Sequence, residues 1–195
     1  VAMAGICGSD VHYFRHGGLG SHRTKLPMSM GHEVAGVVED PGVSGRKVGA
    51  GVAIRPLRFC RSCRQCLKAR YNSCEQAGFL GAGDPGGLRE LLAVDQGQLY
   101  RVDGPEEGVL AEPLSVAIHA VRIGDVGLGD RVAVFGAGPI GLCIAVAARI
   151  AGASQCILVD PQANRLEFAA DKGYADRVML DSGSSPDIAG LGVDV

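Results

Sequence analysis

The chain has 195 residues, 47% hydrophobic and 21% charged, a balance that excludes a disordered protein and admits one large domain or two small ones. Its formal net charge of -2 excludes global attraction to nucleic acid or to an acidic membrane. Seven cysteines, with no secretory leader read at the start, point to a reducing compartment, the cytoplasm by default.

From the N-terminus to about Gly104 the chain is rich in glycine and in short β-branched runs, EVAGVVE, VGAGVAI and RELLAV, divided by turn signals. These predict a compact, irregular β domain. Within it, Cys60, Cys63, Cys66 and Cys74 make a C-x2-C-x2-C-x7-C set whose thiolates can reach one ion, the pattern of a tetrahedral structural zinc site. A ferredoxin-type cluster fits worse, because its last interval is shorter and is followed by proline, whereas Glu75 follows Cys74. Arg58, Arg61, Arg64, Lys68 and Arg70 crowd this lobe. A zinc tetrathiolate carries a formal charge of about -2, which accounts for them without a nucleic-acid partner.

From Glu112 the pattern becomes helical, with Pro113 in the first turn, apolar Leu114, Ala117, Ile118 and Val121, and a stop at Gly124. This helix is predicted to connect two domains, 1–124 and 125–195. Strands Arg131–Phe135, Gln155–Val159 and Arg177–Leu180 then alternate with an apolar helix ending at Ala151 and an amphipathic one ending at Lys172. That is the βαβαβ order of a parallel nucleotide-binding sheet, and the first helix, apolar all round, is expected to be buried. The uncharged stretch between Arg131 and Arg149 is near the lower limit for a membrane span, but glycines and a proline break it and no membrane is expected. Cys143 and Cys156 fall in apolar runs and read as small core residues.

Gly136, Gly138 and Gly141 form G-x-G-x-x-G, with Pro139 and Ile140 between the last two glycines, directly after a strand and opening a helix. Gly136 permits a tight turn, Gly138 lets a pyrophosphate approach the backbone, and Gly141 lets helix and strand pack closely. Asp160 ends the second strand, where an acidic side chain binds the adenosine ribose and repels a 2′-phosphate, so the pattern favours NAD over NADP. Arg165 reads either as an adenine-edge contact or as a solvated helix residue.

Near the N-terminus GICGSDVHYF places Cys7, Ser9, Asp10 and His12 within one loop, and GHEVAG places His32 and Glu33 at the entry to a strand. Glu112 adds a carboxylate at the junction of the two halves. Taken singly these residues are unremarkable. Together, GICGSD, GHEVAG, the four-cysteine lobe, EPLSV and GAGPIG resemble the zinc-dependent medium-chain alcohol and polyol dehydrogenases, in that family's order and over nearly the whole segment. GICGSDVHYF and AEPLSVAIHAVR resemble the sorbitol dehydrogenase branch, and HYFRHGG and GFLGAG lean toward L-idonate 5-dehydrogenase.

The resemblance implies an α/β fold, a GroES-like irregular β catalytic domain followed by the first half of a Rossmann NAD-binding domain. It implies two zinc ions per chain, one on the four cysteines and a catalytic one on Cys7 and His32, with Glu33 and Glu112 supplying or exchanging the remaining contact. By the same resemblance Ser9 takes the substrate proton, His12 passes it outward, and Asp10 accepts a hydrogen bond from the non-ligating nitrogen of His32. The substrate would be a polyol or sugar acid, the partners no nucleic acid but copies of the same chain in a homodimer or homotetramer.

The chain departs from the family pattern at Gly49, Ala50, Gly51 and Val52, where a G-D-R-V turn is common. Loss of the acidic and basic groups is expected to loosen the first domain. The chain also opens almost on GICGSD and stops at the start of a further strand, so it reads as a fragment that does not turn over substrate alone. L-Threonine 3-dehydrogenase and 2,3-butanediol dehydrogenase share these motifs. A nucleic-acid-binding zinc module would leave the glycine fingerprint and Asp160 without purpose, and an inactive relative would hold one zinc instead of two.

Overall fold

A computed structural model describes the chain at all positions but 21, 24–26, 182 and 184–187. The chain divides into two compact units, Val1–Glu112 and Pro113–Val195, so the division falls at the start of the expected connecting helix and not at its end.

The first unit runs through β1 (Met3–Gly5), α1 (Gly8–His16), β2 (Gly18–Leu19), β3 (His22–Arg23), β4 (Glu33–Val37), β5 (Gly51–Ile54), β6 (Leu57–Arg58), β7 (Gly78–Phe79), β8 (Leu99–Arg101) and α2 (Pro105–Val109). β1, β4, β5 and β8 pair antiparallel in that order, and β2–β3 and β6–β7 form separate hairpin-like pairs. Val34, Ile54 and Leu80 make the core, with Leu92, Val94 and Leu99 packed on it. α2 lies close on the sheet because Gly108 has no side chain; a Cβ there would stand 2.8 Å from that of Ala35.

Two of the three predicted strands differ from expectation. VGAGVAI is extended only from Gly51, since Gly49 takes a left-handed turn at φ 81°. The Gly49 N–H donates to the Val38 carbonyl (2.8 Å) and the Val38 N–H to that of Ala50 (3.0 Å), so backbone bonds hold this turn without the Asp-Arg pair. A side chain at Gly51 would meet the Val102 carbonyl oxygen at 2.6 Å, which explains why a small residue stands there. RELLAV forms no strand: the N–H groups of Gly86, Gly87 and Leu88 donate to Ser29, Gly31 and Met30, and a tight turn at Gly87–Arg89 then ends the pairing.

The second unit holds α3 (Ala111–Ile123) from Pro113 onward, β9 (Arg131–Phe135), α4 (Pro139–Ala151), β10 (Gln155–Asp160), α5 (Ala163–Asp171), β11 (Arg177–Leu180) and α6 (Ile188–Leu191). The sheet is parallel in the order β11-β10-β9. On the far side of β9, Asp194 and Val195 bond to Arg131 and Ala133, so neighbours are added on opposite sides and β9 marks the switch point where such sheets bind ligands. β10 is covered on both faces, which is why Cys156–Asp160 reads as one buried run. α4 is not buried all round: Gly141, Ala145, Ala147 and Ala148 face the core, while Ile150 is 80% exposed. Among the described residues no helix is long and apolar enough to cross a membrane.

Candidate active site

Cys7 does not sit in a loop. It caps α1, and Ser9, Asp10 and His12 lie on that helix. The first turn is made by the buried Asp10, whose Oδ2 accepts the Cys7 N–H (3.0 Å) and whose Oδ1 accepts the Gly31 N–H (3.1 Å). One carboxylate thus ties the start of the helix to the turn before His32. Gly31 has φ 94°, and a Cβ there would stand 2.9 Å from Leu88 Cγ, so glycine is required on two counts. His32 is buried against Phe79, ring centroids 5.4 Å apart, and its Nδ1 stands 3.8 Å from Asp10 Oδ1, beyond hydrogen-bond reach.

Glu33 opens β4 opposite Gly5 of β1. A Cβ on Gly5 would collide with the Glu33 carboxylate, so the missing side chain makes its space. The ligand atoms of Cys7, His32 and Glu33 all lie within 4.8 Å of one another. One sulfur, one nitrogen and one carboxylate oxygen with room for a fourth position suit an open zinc site. Glu112, half-buried at the start of α3, is outside this three-residue set. Burial pushes its carboxyl upward, the His32 ring opposes this and Glu33 adds to it, so Glu112 shares the electrostatics of the pair. Ser9 is half-buried and His12 exposed, its ring 4.5 Å from that of His16.

The four-cysteine lobe is built from left-handed turns at Arg61 and Ala69 and two single turns of 3-10 helix, Cys66–Lys68 and Tyr71–Ser73. Sγ separations are 3.9 Å for Cys60–Cys66, 4.0 Å for Cys63–Cys74 and 3.6 Å for Cys74–Cys60. A tetrahedron with metal–sulfur bonds of about 2.3 Å has edges of about 3.8 Å, and a disulfide would bring sulfurs to about 2 Å, so the set fits zinc and not a bridge. The N–H groups of Cys60, Cys63, Cys66 and Gln76 point at the sulfurs at 3.3 to 3.5 Å, as negative thiolates require. Backbone bonds from Ser62 and Cys63 bring the Cys60 thiol down to about 6, while burial pushes Cys66 up to about 12. The arginines are only partly absorbed by the sulfur charge: Arg58 pairs with Asp84 (3.1 Å), and Arg61 lies over the Phe59 ring.

In the second unit Gly136 turns at φ 108°, and a side chain on Gly141 would strike the Gly136 carbonyl oxygen. Among the described residues, only Arg165 Nη1 lies within 4 Å of a would-be Cβ on Gly138. Pro139 and Ile140 begin α4, whose N-terminus opens on this turn. Asp160 is 2% exposed; its Oδ2 accepts the Ala137 N–H and its Oδ1 the Gln162 N–H, both at 2.8 Å. Arg165 Nη1 stands 3.6 Å from Asp160 Oδ2, facing the strand end instead of being freely solvated. Burial raises the Asp160 carboxyl, but the two N–H bonds and Arg165 outweigh it and hold the group below its ordinary range. Asp160 therefore clamps the glycine turn to β10 before any ribose is considered.

Sequence reasoning missed Gly5, Gly31 and Phe79, which shape the surroundings of this candidate metal site. The glycine two positions before Cys7 was the one visible signal; the partners of Gly31 and Phe79 lie about fifty residues away in sequence and leave no local trace.

Residues 1–104, just over half of the chain, match the alcohol dehydrogenase GroES-like domain. The chain is 43% identical over 188 residues to D-xylulose reductase A of Aspergillus oryzae, covering 93% of this chain and 52% of that protein. L-Idonate 5-dehydrogenase of Escherichia coli superposes with a TM-score of 0.85 at 34% identity, covering 94% of this chain and 55% of that one. For galactitol-1-phosphate dehydrogenase of Escherichia coli the TM-score is 0.82 at 30% identity, covering 93% and 53%. The chain spans about half the length of the curated relatives it matches. With its zinc-ligand sets and parallel nucleotide-binding sheet in this order, the chain belongs to the alcohol dehydrogenase family with a GroES-like domain, the zinc-dependent medium-chain dehydrogenases.

Proposed function

We propose that the protein oxidises a secondary alcohol of a polyol or sugar acid, of the sorbitol, xylitol or L-idonate type, with two zinc ions per chain and NAD. The observation that carries this is the convergence of Cys7, His32 and Glu33 within 4.8 Å, at the start of the helix that bears Ser9 and His12. The names of the relatives, for xylulose, idonate and galactitol phosphate, support the substrate class.

Zinc held by Cys7, His32 and a carboxylate of Glu33 or Glu112 supplies a Lewis acid for the alcohol oxygen, and NAD supplies the hydride acceptor. Ser9 and His12, three residues apart on α1, share a helix face, so Ser9 takes the hydroxyl proton and His12 passes it to water. Asp10 fixes the backbone on both sides of the site and holds a negative charge beside His32. A carboxylate in place of a second thiolate keeps the metal hard, which suits a polyhydroxy substrate. In the second unit the turn at Gly136 and Gly138 receives the pyrophosphate, and Asp160 with Arg165 lines the ribose end, its charge disfavouring a 2′-phosphate. The proposal includes a cytoplasmic homodimer or homotetramer, in keeping with cysteines that form no disulfide among the described residues.

Metal analysis and assays on xylitol, sorbitol and L-idonate, carried out on the full-length protein with NAD and NADP compared, test it. Two zincs per chain and NAD-linked oxidation are expected, with Cys7→Ala losing one zinc and Ser9→Ala lowering kcat by about 10² to 10⁴. A single zinc per chain, unchanged in Cys7→Ala, together with no polyol turnover, would refute the reading.

A further inference from the structure

α1 carries a second pairing of metal-binding side chains, outside the two ligand sets described above. His12 and His16 stand one helical turn apart, both exposed, in the second half of the helix. Their ring centroids are 4.5 Å apart with the planes tilted by 55°. Parallel stacking would bring the rings face to face and aim their nitrogens apart; the tilt lets one nitrogen of each converge.

The separation fits a shared ion. With metal–nitrogen bonds of about 2.0 to 2.1 Å, a ring centre lies about 3.2 Å from the metal, and two imidazoles at right angles then have centres about 4.5 Å apart. The position favours a cation as well, because the pair lies toward the C-terminal, partially negative end of α1. One cation already uses that end: Arg23 donates to the His16 carbonyl at 3.4 Å. Arg15 and Arg23 are the cationic side chains nearest in the chain, and they limit the affinity without blocking the geometry. Imidazole pairs select zinc, nickel or copper over magnesium and calcium, which require oxygen ligands.

We propose that His12 and His16 form a surface site for a divalent transition-metal ion, held by two imidazoles with its other positions open to water. An ion there occupies the ring that the proposed reaction uses to pass its proton outward, so excess metal slows turnover. That consequence rests on the proposed function; the binding does not.

Nickel is the probe, because it takes imidazole at right angles and does not oxidise thiols. Untagged protein, loaded with two zinc ions per chain and freed of excess zinc by dialysis, is titrated with Ni2+ by calorimetry beside His12→Gln, His16→Gln and, as a control, His119→Gln, another exposed histidine. Since even an outer-shell partner is worth 10- to 100-fold in metal affinity, loss of either ligand is expected to weaken nickel binding at least about tenfold, with His119→Gln unchanged. A second measurement needs no variant: paramagnetic Ni2+ at substoichiometric amounts should broaden the His12 and His16 ring resonances first. Wild-type protein that takes up no nickel, His16→Gln that binds as tightly as wild type, or broadening that spares both rings overturns the proposal.

Discussion

The two units are held together by different means. Among the described residues, the first unit's clustered core is the three residues Val34, Ile54 and Leu80, with small or valine side chains such as Ala35, Val52 and Ala53 buried beside them; in the second, one cluster has twelve and the opposite face of the sheet adds Ile157, Val159 and Leu191. A core as small as the first cannot by itself offset the ordering of a hundred-residue irregular chain. Its links are of other kinds: Asp10 between α1 and Gly31, four cysteine sulfurs within 4 Å of their neighbours, and glycines that let backbone lie on backbone at Gly51 and Gly86 and on the Ala35 side chain at Gly108. The same side chains that organise the first unit are those that would hold its metals. In the second unit structure and ligand site are separable, since the apolar layers fix the sheet and the glycine turn lies at its end.

Removing zinc is the most severe way to break this comparison. Structural zinc sites bind with apparent free energies of about 10 to 16 kcal/mol at neutral pH, more than most domains have in total. Chelation should therefore abolish amide-exchange protection across 60–74 and weaken it at β1 and β4, while Cys156–Val159 of β10 keeps its protection. Protection that persists over 60–74 after complete zinc removal would mean that the apolar core of the first unit suffices after all.

The same contrast explains what was legible in the sequence. The second unit was readable from periodicity, because β9, β10 and β11 and the helices between them repeat at the spacing their burial requires. In the first unit the ligand motifs were readable and their scaffolding was not. α1 reads as a loop because its first turn is Gly8, Ser9 and Asp10, residues of turns, and it becomes a helix through the Asp10 cap to Cys7. α2 was missed since five residues opening on proline and containing a glycine carry no period. RELLAV carries a short apolar run as a buried strand does, yet its backbone course is set by Gly86–Leu88 bonding to Ser29–Gly31, a pairing written nowhere near it. Asp160 was found for its place beside a nucleotide, while its two bonds to the turn depend on a fold the sequence only implies.

Within the second unit the separation of framework from ligand site can be sharpened by two glycines three residues apart. A methyl at Gly141 collides with the Gly136 carbonyl oxygen, backbone that has no rotamer to yield. Gly141→Ala should cost about 1 to 3 kcal/mol in urea unfolding followed through the second unit, and NAD affinity should fall with it. A side chain at Gly138 meets only the tip of Arg165, 3.9 Å away. Gly138→Trp should leave unfolding within about 0.5 kcal/mol of wild type while abolishing NAD binding, because the indole fills the space a pyrophosphate needs. Equal losses of stability in both variants would merge framework and site, and the distinction between the units would fail.

Acid gives the smallest and most specific test. Asp176 accepts the Cys156 N–H at 2.7 Å and pairs with Arg149 at 3.0 Å, and these bonds hold its carboxyl below the ordinary range despite some opposing burial; Asp160 is held low in the same direction. A carboxyl depressed in the folded state contributes stability that is present above its unfolded value, about 3.9, and is lost as pH falls through the lower folded value. The second unit should therefore keep constant stability from pH 7 to about 5 on this account, then weaken progressively below about 4. Asp176 is 42% exposed, so solvent screening limits its share to about 1 kcal/mol or less. Asp176→Asn keeps an acceptor for the Cys156 N–H but cannot titrate, and should flatten part of the acid slope while leaving Asp160's part in place. An unchanged slope in Asp176→Asn, measured by urea unfolding between pH 5 and 3, would show that acid acts on the second unit only through Asp160, the clamp at the glycine turn.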